Sequence, residues 1–241
     1  MMTKTFLYMD QLTCRNKQNE IDAYSNWIEC RLFPSIDSWD SEQKRTEHEI
    51  NERNERKNFS EWHDPLDEFE EIITQTLQVA EVNSYMIGVS ISGLYHLWEK
   101  QIIDHLIHEL KHDWVIPEKH LMKTWNEINY IFKSYSTNLS QMSFYKNLEE
   151  LRLVSNTIKH GNGSSYRQLV GIKADIVKPY NKSNNQPIIG GNHSLIRVDL
   201  FPRIDHYMKY KQAVLDFWNF DIWHSQGERL PFDNWPEKKK R

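Results

Sequence analysis

The stretch "NSYMIGVSISGLYHLWEKQIIDHLIHELKH", from Asn83 to His112, constrains this chain more than any other. No proline interrupts it, and Ile87, Ile91, Leu94, Trp98 and Ile102 recur at steps of three and four. That spacing predicts a helix of about 27 residues with one face committed to a core. The rest of the chain points the same way. Glycine and proline number only eight each among 241 residues, against nine tryptophans and eleven tyrosines. Few punctuating residues and many long side chains favour long helices over many short strands.

Other helices read from the same periodicity. "QNEIDAYSNWIECRLF" places Ile21, Tyr24, Ile28 and Leu32 on one face, and Pro34 is expected to end it. "SEQKRTEHEINERNERKNFSEW" is almost wholly charged and reads as a solvated helix or a connector, with the softest boundary near residues 40–64. "DPLDEFEEIITQTLQVAEV" offers Asp64 as N-cap and Pro65 as first helical residue, with Leu66, Phe69, Ile72, Ile73 and Leu77 as its stripe. A further helix starts at Pro117, and "NLSQMSFYKNLEELRLVSNTIKH" is the next, with Phe144, Leu148, Leu151 and Ile158 on one face. "LVGIKADIV" and "SLIRVDLF" are short, β-branched and alternating, which predicts a hairpin with a long loop. "PRIDHYMKYKQAVLDFWNF" is the last helix, carrying Ile204, Tyr207, Tyr210, Val214, Phe217 and Trp218. The expected fold is mainly α: a bundle of four to five long helices with a small β-hairpin before the last. The expected organisation is an N-terminal helical arm and charged connector over 1–63, a helical domain over 64–224 and a C-terminal tail over 225–241.

Composition excludes several classes. A net charge of −4 gives no global pull toward nucleic acid, although a local basic patch is compatible with it. Two cysteines, Cys14 and Cys30, do not make a disulfide framework, so a reducing cytoplasm is expected. No apolar run reaches the roughly 18 residues of a membrane span, and the one at the N-terminus is too short for a signal peptide.

Two stretches could carry chemistry. "HELKH" places His108 and His112 four apart, so both rings could meet one metal with Glu109 as base, as in a zinc peptidase. Its context argues otherwise. Lys111 and Asp113 stand where such a helix is normally uncharged, and Pro117 follows closely. Ile103, Leu106, Ile107 and Leu110 form the apolar stripe, with His105, His108, Glu109 and His112 mostly away from it. A solvated polar face accounts for the pattern without metal.

The second stretch is "LRLVSNTIKHGNGSS", Leu151 to Ser165. On a wheel of about 100° per residue with Phe144 at zero, Leu148, Leu151, Ser155 and Ile158 fall within roughly 40° of it. Arg152, Asn156 and His160 fall at about 80°, 120° and 160°, a slanted polar line beside the core stripe. Gly161 suits the left-handed cap position, and Gly163 keeps the next turn unobstructed. Capping of the last carbonyls by His160, with Arg152 and Lys159 as charges near the negative helix end, explains the same residues without function. "FWNFDIW", Phe217 to Trp223, is likewise either a docking patch or core packing.

"LVSNTIKHGNG" resembles the signature of the HEPN superfamily, helical-bundle proteins common in bacterial toxin–antitoxin and phage-defence systems. Asn156, Ile158, His160, Gly161 and Gly163 carry the resemblance. "SGLYHLWEKQIIDHL", with the pair Trp98 and Glu99, is similar to the long first core helix of such proteins, and "IRVDLFPRIDHYMKYKQAVLDFWN" to their ending. The resemblance covers roughly residues 65–221. It implies metal-independent endoribonuclease chemistry with no cofactor, RNA as substrate, a protein antitoxin or other partner, and a homodimer that brings two such helices together. His160 would be the acid–base, Arg152 the phosphate clamp and Asn156 the positioning group. The chain departs from the family at one point. Ser155 stands directly before Asn156, where the family carries its arginine, and seven residues separate Arg152 from His160, more than the usual gap. Either Arg152 substitutes from one turn earlier, or the site is degenerate and the chain is a catalytically inactive interaction module.

Overall fold

A computed structural model describes residues 9–36, 48, 52, 65–113, 125–134, 138–177 and 199–224. Most of the charged connector, the expected N-cap Asp64, the side chains of the Leu66–Leu77 stripe, the expected start at Pro117, the loop of the expected hairpin with residues 194–198 of its second strand, the side chain of His112 and the tail lie outside the described residues.

Helix α1 runs from Gln11 to Trp27. It starts earlier than its apolar periodicity suggests because Asp10 caps it, accepting from the Thr13 backbone N–H at 2.9 Å and the Thr13 hydroxyl at 2.6 Å. Those bonds hold the Asp10 carboxyl below its ordinary range. Pro34 does not end the helical path. A π turn, Ile28–Leu32, precedes it, with the Phe33 N–H reaching back to the Ile28 carbonyl, and helical backbone continues to Ile36. Proline supplies no N–H and its ring crowds the carbonyl four residues back; the wider π turn absorbs that conflict.

Helix α2 is a single element of 49 residues, Pro65–Asp113. It opens at Pro65, the expected first helical residue, but the two helices read on either side of Asn83 are one. Asn83 and Ser84 are buried within it. Helix α3 spans Trp125–Ser134. A 3₁₀ turn, Leu139–Gln141, capped by Asn138, leads to α4, Tyr145–His160. Then come α5 (Ser164–Gly171), α6 (Ile204–Phe217) and α7 (Phe220–His224). The protein is mainly helical. Among the described residues no helix is long and apolar enough to cross a membrane.

The expected hairpin is not formed as read. Leu169–Gly171 is the last turn of α5, and the described strand pairing is one antiparallel bridge, Val177 to Leu200. Helical spacing prevails over alternation here: Tyr166 and Leu169, three apart, are both buried, whereas Val170 and Ile172 are exposed. The bridge is reinforced by the Phe201 N–H donating to the Ile176 carbonyl at 2.7 Å.

The chain divides into two compact units, Met1–Ala23 with Gly93–Arg152 and Lys209–Arg241, and Tyr24–Ser92 with Leu153–Met208. The first is built on aromatic packing. Phe217 is fully buried, with ring centroids 5.4 Å from Trp98, 5.6 Å from Phe144 and 5.1 Å from Trp218. Trp223 lies 5.2 Å away and its indole N–H donates to the Phe217 carbonyl. Within the aromatic run, Phe217, Trp218 and Trp223 are therefore core packing. Gln18 donates to the Leu215 carbonyl, and Gln101 to the Lys17 carbonyl and Glu20, so α1 as far as Ala23 is fastened within this unit. Buried Glu150 is compensated by Lys209 at 2.9 Å and the Tyr210 hydroxyl at 2.8 Å.

The second unit is held by small residues on α2. Gly88 lets the helix approach Ile158 and Pro202; a Cβ there would sit 3.2 Å from each. Ser84 donates to the Pro202 carbonyl at 3.0 Å, and the Ser92 and Ser155 hydroxyls meet at 2.9 Å. Tyr24 donates to the Ser90 carbonyl, and buried Tyr207 to Ser25 at 3.0 Å.

Candidate functional site

The polar line expected on α4 is present as positions of one helix, but its members have separate surroundings. Arg152 is half-buried and its guanidinium is forked onto Glu149, Nε to Oε2 at 3.1 Å and Nη2 to Oε1 at 2.5 Å. Burial alone would lower the guanidinium, but the bonds and charge of Glu149, with smaller contributions from Tyr95 and Tyr145, carry it above its ordinary value. Tyr95 in turn donates to Glu99 at 2.7 Å, and burial pushes its phenol far up. Glu149 belongs to no motif in the sequence. Its spacing of three from Arg152, on a helical pattern, was the signal that could have found it.

Asn156 is half-buried and His160 is exposed as the last residue of α4. Lys159 beside it is exposed as well. The helix stops as its sequence indicates. Gly161 has φ +78°, and its N–H donates to the Thr157 carbonyl at 2.8 Å. Asn162 then clasps Asp199 twice: its amide donates to the carboxylate at 2.7 Å, and its carbonyl accepts the Asp199 N–H at 3.1 Å. Gly163 precedes α5 without a side-chain cap. Arg167 and Lys173 are exposed.

Gly161→Ala is expected to cost about 1 kcal/mol through backbone conformation. A Cβ there meets nothing within 4 Å, so no clash contributes. Thermal denaturation of the variant beside Gly161→Asn checks this; asparagine should recover part of the loss, and equal stability of alanine and glycine would contradict it.

Ser155 lies where the wheel puts it, in the core. It is 1% exposed and pairs with Ser92. An arginine at this position would point into packed side chains.

At "HELKH", His108 is exposed and Glu109 half-buried, while Leu106 and Leu110 are buried. His105 departs from the wheel reading. It is buried, with its ring edge-on to Trp218 at 5.8 Å. Among the described residues no three His, Cys, Asp or Glu side chains gather to hold a metal ion. Cys14 is buried, and burial pushes its thiol up to about 11, so it is not poised as a nucleophile.

Comparison with family models, curated proteins and solved structures gives no match for this chain.

Proposed function

We propose that this chain is a HEPN-like helical module of a bacterial defence or toxin–antitoxin system that acts by binding a protein partner rather than by cutting RNA. The observation that carries the reading is Ser155, buried and bonded to Ser92 at the position where the resembled family holds its arginine. Arg152 is a poor replacement. Its Nε and Nη2 are already forked onto Glu149, and a phosphate bound at the remaining donors would sit beside that carboxylate's negative charge.

Metal-independent RNA cleavage is the second reading. It is favoured by the exposure of His160 and Lys159 at the end of α4, where among the described residues neither side chain has a hydrogen-bond partner. In that case Arg152 would clamp phosphate, Asn156 would position, and a homodimer would set two such helices together.

The test is incubation of total RNA and a tRNA pool with purified protein in EDTA, beside His160→Ala and Arg152→Ala. Intact RNA at high protein concentration is the expected result. Cuts that survive EDTA and vanish in both variants would establish the ribonuclease and overturn the binding-only reading.

A further inference from the structure

The start of α6 is closed by an imidazole. Arg203 precedes the helix, and its backbone N–H donates to Nδ1 of His206 at 3.0 Å. In a capping box the third helical residue reaches back to this same N–H, ordinarily through Glu or Gln. His206 occupies that third position, and its side chain is 1% exposed. It differs from glutamine in one respect: it takes up a proton in the mildly acid range.

Because Nδ1 accepts, the neutral ring carries its hydrogen on Nε2. Nε2 stands 3.1 Å from Asp175 Oδ2, a close contact but not a well-aligned hydrogen bond. Asp175 belongs to the segment between α5 and the Val177–Leu200 bridge. The Arg203 guanidinium grips Asp205 at 3.1 and 3.0 Å and approaches Asp175 at 3.7 Å. Asp205 also accepts the His206 backbone N–H at 3.0 Å. Among the described residues, the charged groups facing the ring are Asp175 from the loop and Arg203 and Asp205 from the start of the helix.

A second proton would go onto Nδ1. It would set a donor against the Arg203 N–H and place a positive charge at the positive end of the helix dipole, beside a guanidinium. Asp175 and Asp205 favour the charged ring, but burial, the largest influence, and Arg203 oppose it, so the imidazole is held below its ordinary value.

We propose that His206 is a proton-operated helix cap: protonation of Nδ1 ends its acceptance of the Arg203 N–H, so the first turn of α6 opens and the adjoining Val177–Leu200 neck loosens. Asp199, next to that bridge, is the residue clasped by Asn162, so the turn that follows His160 loosens with it. The sign follows from the depressed folded-state value. The cap's contribution is complete above the ordinary histidine range and is lost as the pH falls through the folded value. This device is independent of whether the chain binds a protein partner or cuts RNA.

The test is hydrogen exchange of the Phe201 and Asp199 amides between about pH 7.5 and about pH 5, corrected for intrinsic exchange, with the His206 ring proton followed by NMR. In wild type, protection of both amides should fall roughly fivefold in step with the ring titration, the size of one lost cap. His206→Gln, a cap that cannot titrate, should hold them level, as should the wild-type amides of Leu94–Ile102 on α2. An unchanged neck overturns the proposal whether or not the ring titrates, and so does an equal fall in His206→Gln or throughout the protein. Should His206→Gln fail to fold, the wild-type coincidence of ring titration and neck opening decides alone.

Discussion

Phe217→Ala should lower the stability of the protein by about 4 kcal/mol, the largest effect of any single truncation proposed for this molecule. Phe217 is fully buried and lies at the meeting point of Trp98, Phe132, Phe144, Trp218 and Trp223, with ring centroids between 5.1 and 6.0 Å. Two costs add. The phenyl ring loses its transfer from water, and the surrounding rings cannot collapse into the space, because each is itself locked against others. Trp98 is also packed on Trp125 at 5.2 Å, and Phe132 on Trp223 at 5.4 Å. Edge-to-face contacts at Trp98, Phe132 and Trp218 disappear as well, each worth about 0.5–1.5 kcal/mol in favourable cases. Urea unfolding should show a lower midpoint with an unchanged slope. Phe217→Leu should retain more than half of the lost stability, since it keeps most of the volume. A cost below about 1 kcal/mol for the alanine variant would mean that this aromatic cluster is not the centre of its unit.

Ser155→Arg is the second large effect, and it bears on function. Restoring the residue type that the resembled family carries before its asparagine looks like a repair of a ribonuclease site. It is expected to cost more than about 4 kcal/mol and to give no RNA cleavage. Ser155 is 1% exposed and its hydroxyl meets that of Ser92, so a guanidinium would enter packed space against a hydroxyl rather than a carboxylate. Ser155→Ala separates the charge from the space. It leaves the Ser92 hydroxyl without this partner and should cost about 1 kcal/mol, much of which the double change with Ser92→Ala should return. Denaturation of the three variants, with the RNA assay on Ser155→Arg, checks the set. A folded Ser155→Arg protein that cuts RNA in a His160-dependent manner would overturn both the burial argument and the binding-only reading.

The helices were readable where one periodic signal acted alone. Pro65 opens α2, Gly161 closes α4, and Ser155 lies inside because the Phe144 face dictated it. The errors occurred where a local signal competed with packing that cannot be read along the chain. "VNS" at residues 82–84 looks like a break between helices, yet Asn83 and Ser84 are buried in a continuous helix, and Ser84 spends its hydroxyl on the Pro202 carbonyl. Pro34 looked terminal because the π turn that accommodates it has no sequence signature. Leu169–Gly171 has strand composition, but Tyr166 and Leu169 bury a helical face. His105 reads along the chain as part of a polar face, while Trp218, 113 residues further on, makes its position part of the core. The candidate site was legible as residue types on one helix. What it does depends on Glu149 holding Nε and Nη2 of Arg152, a matter of side-chain geometry rather than of spacing.

The clasp between Asn162 and Asp199 has a consequence for the ageing of the molecule. Asn162 is followed by Gly163, the pairing most prone to spontaneous deamidation, because a bare glycine lets its nitrogen swing onto the asparagine side chain and close a succinimide ring. Here the amide is tethered to Asp199 at 2.7 Å and its carbonyl at 3.1 Å, while the Gly163 nitrogen points its hydrogen at the Gly161 carbonyl at 2.7 Å. Both reacting groups are turned to other partners. The geometry that shapes the turn also works against its slow conversion to aspartate.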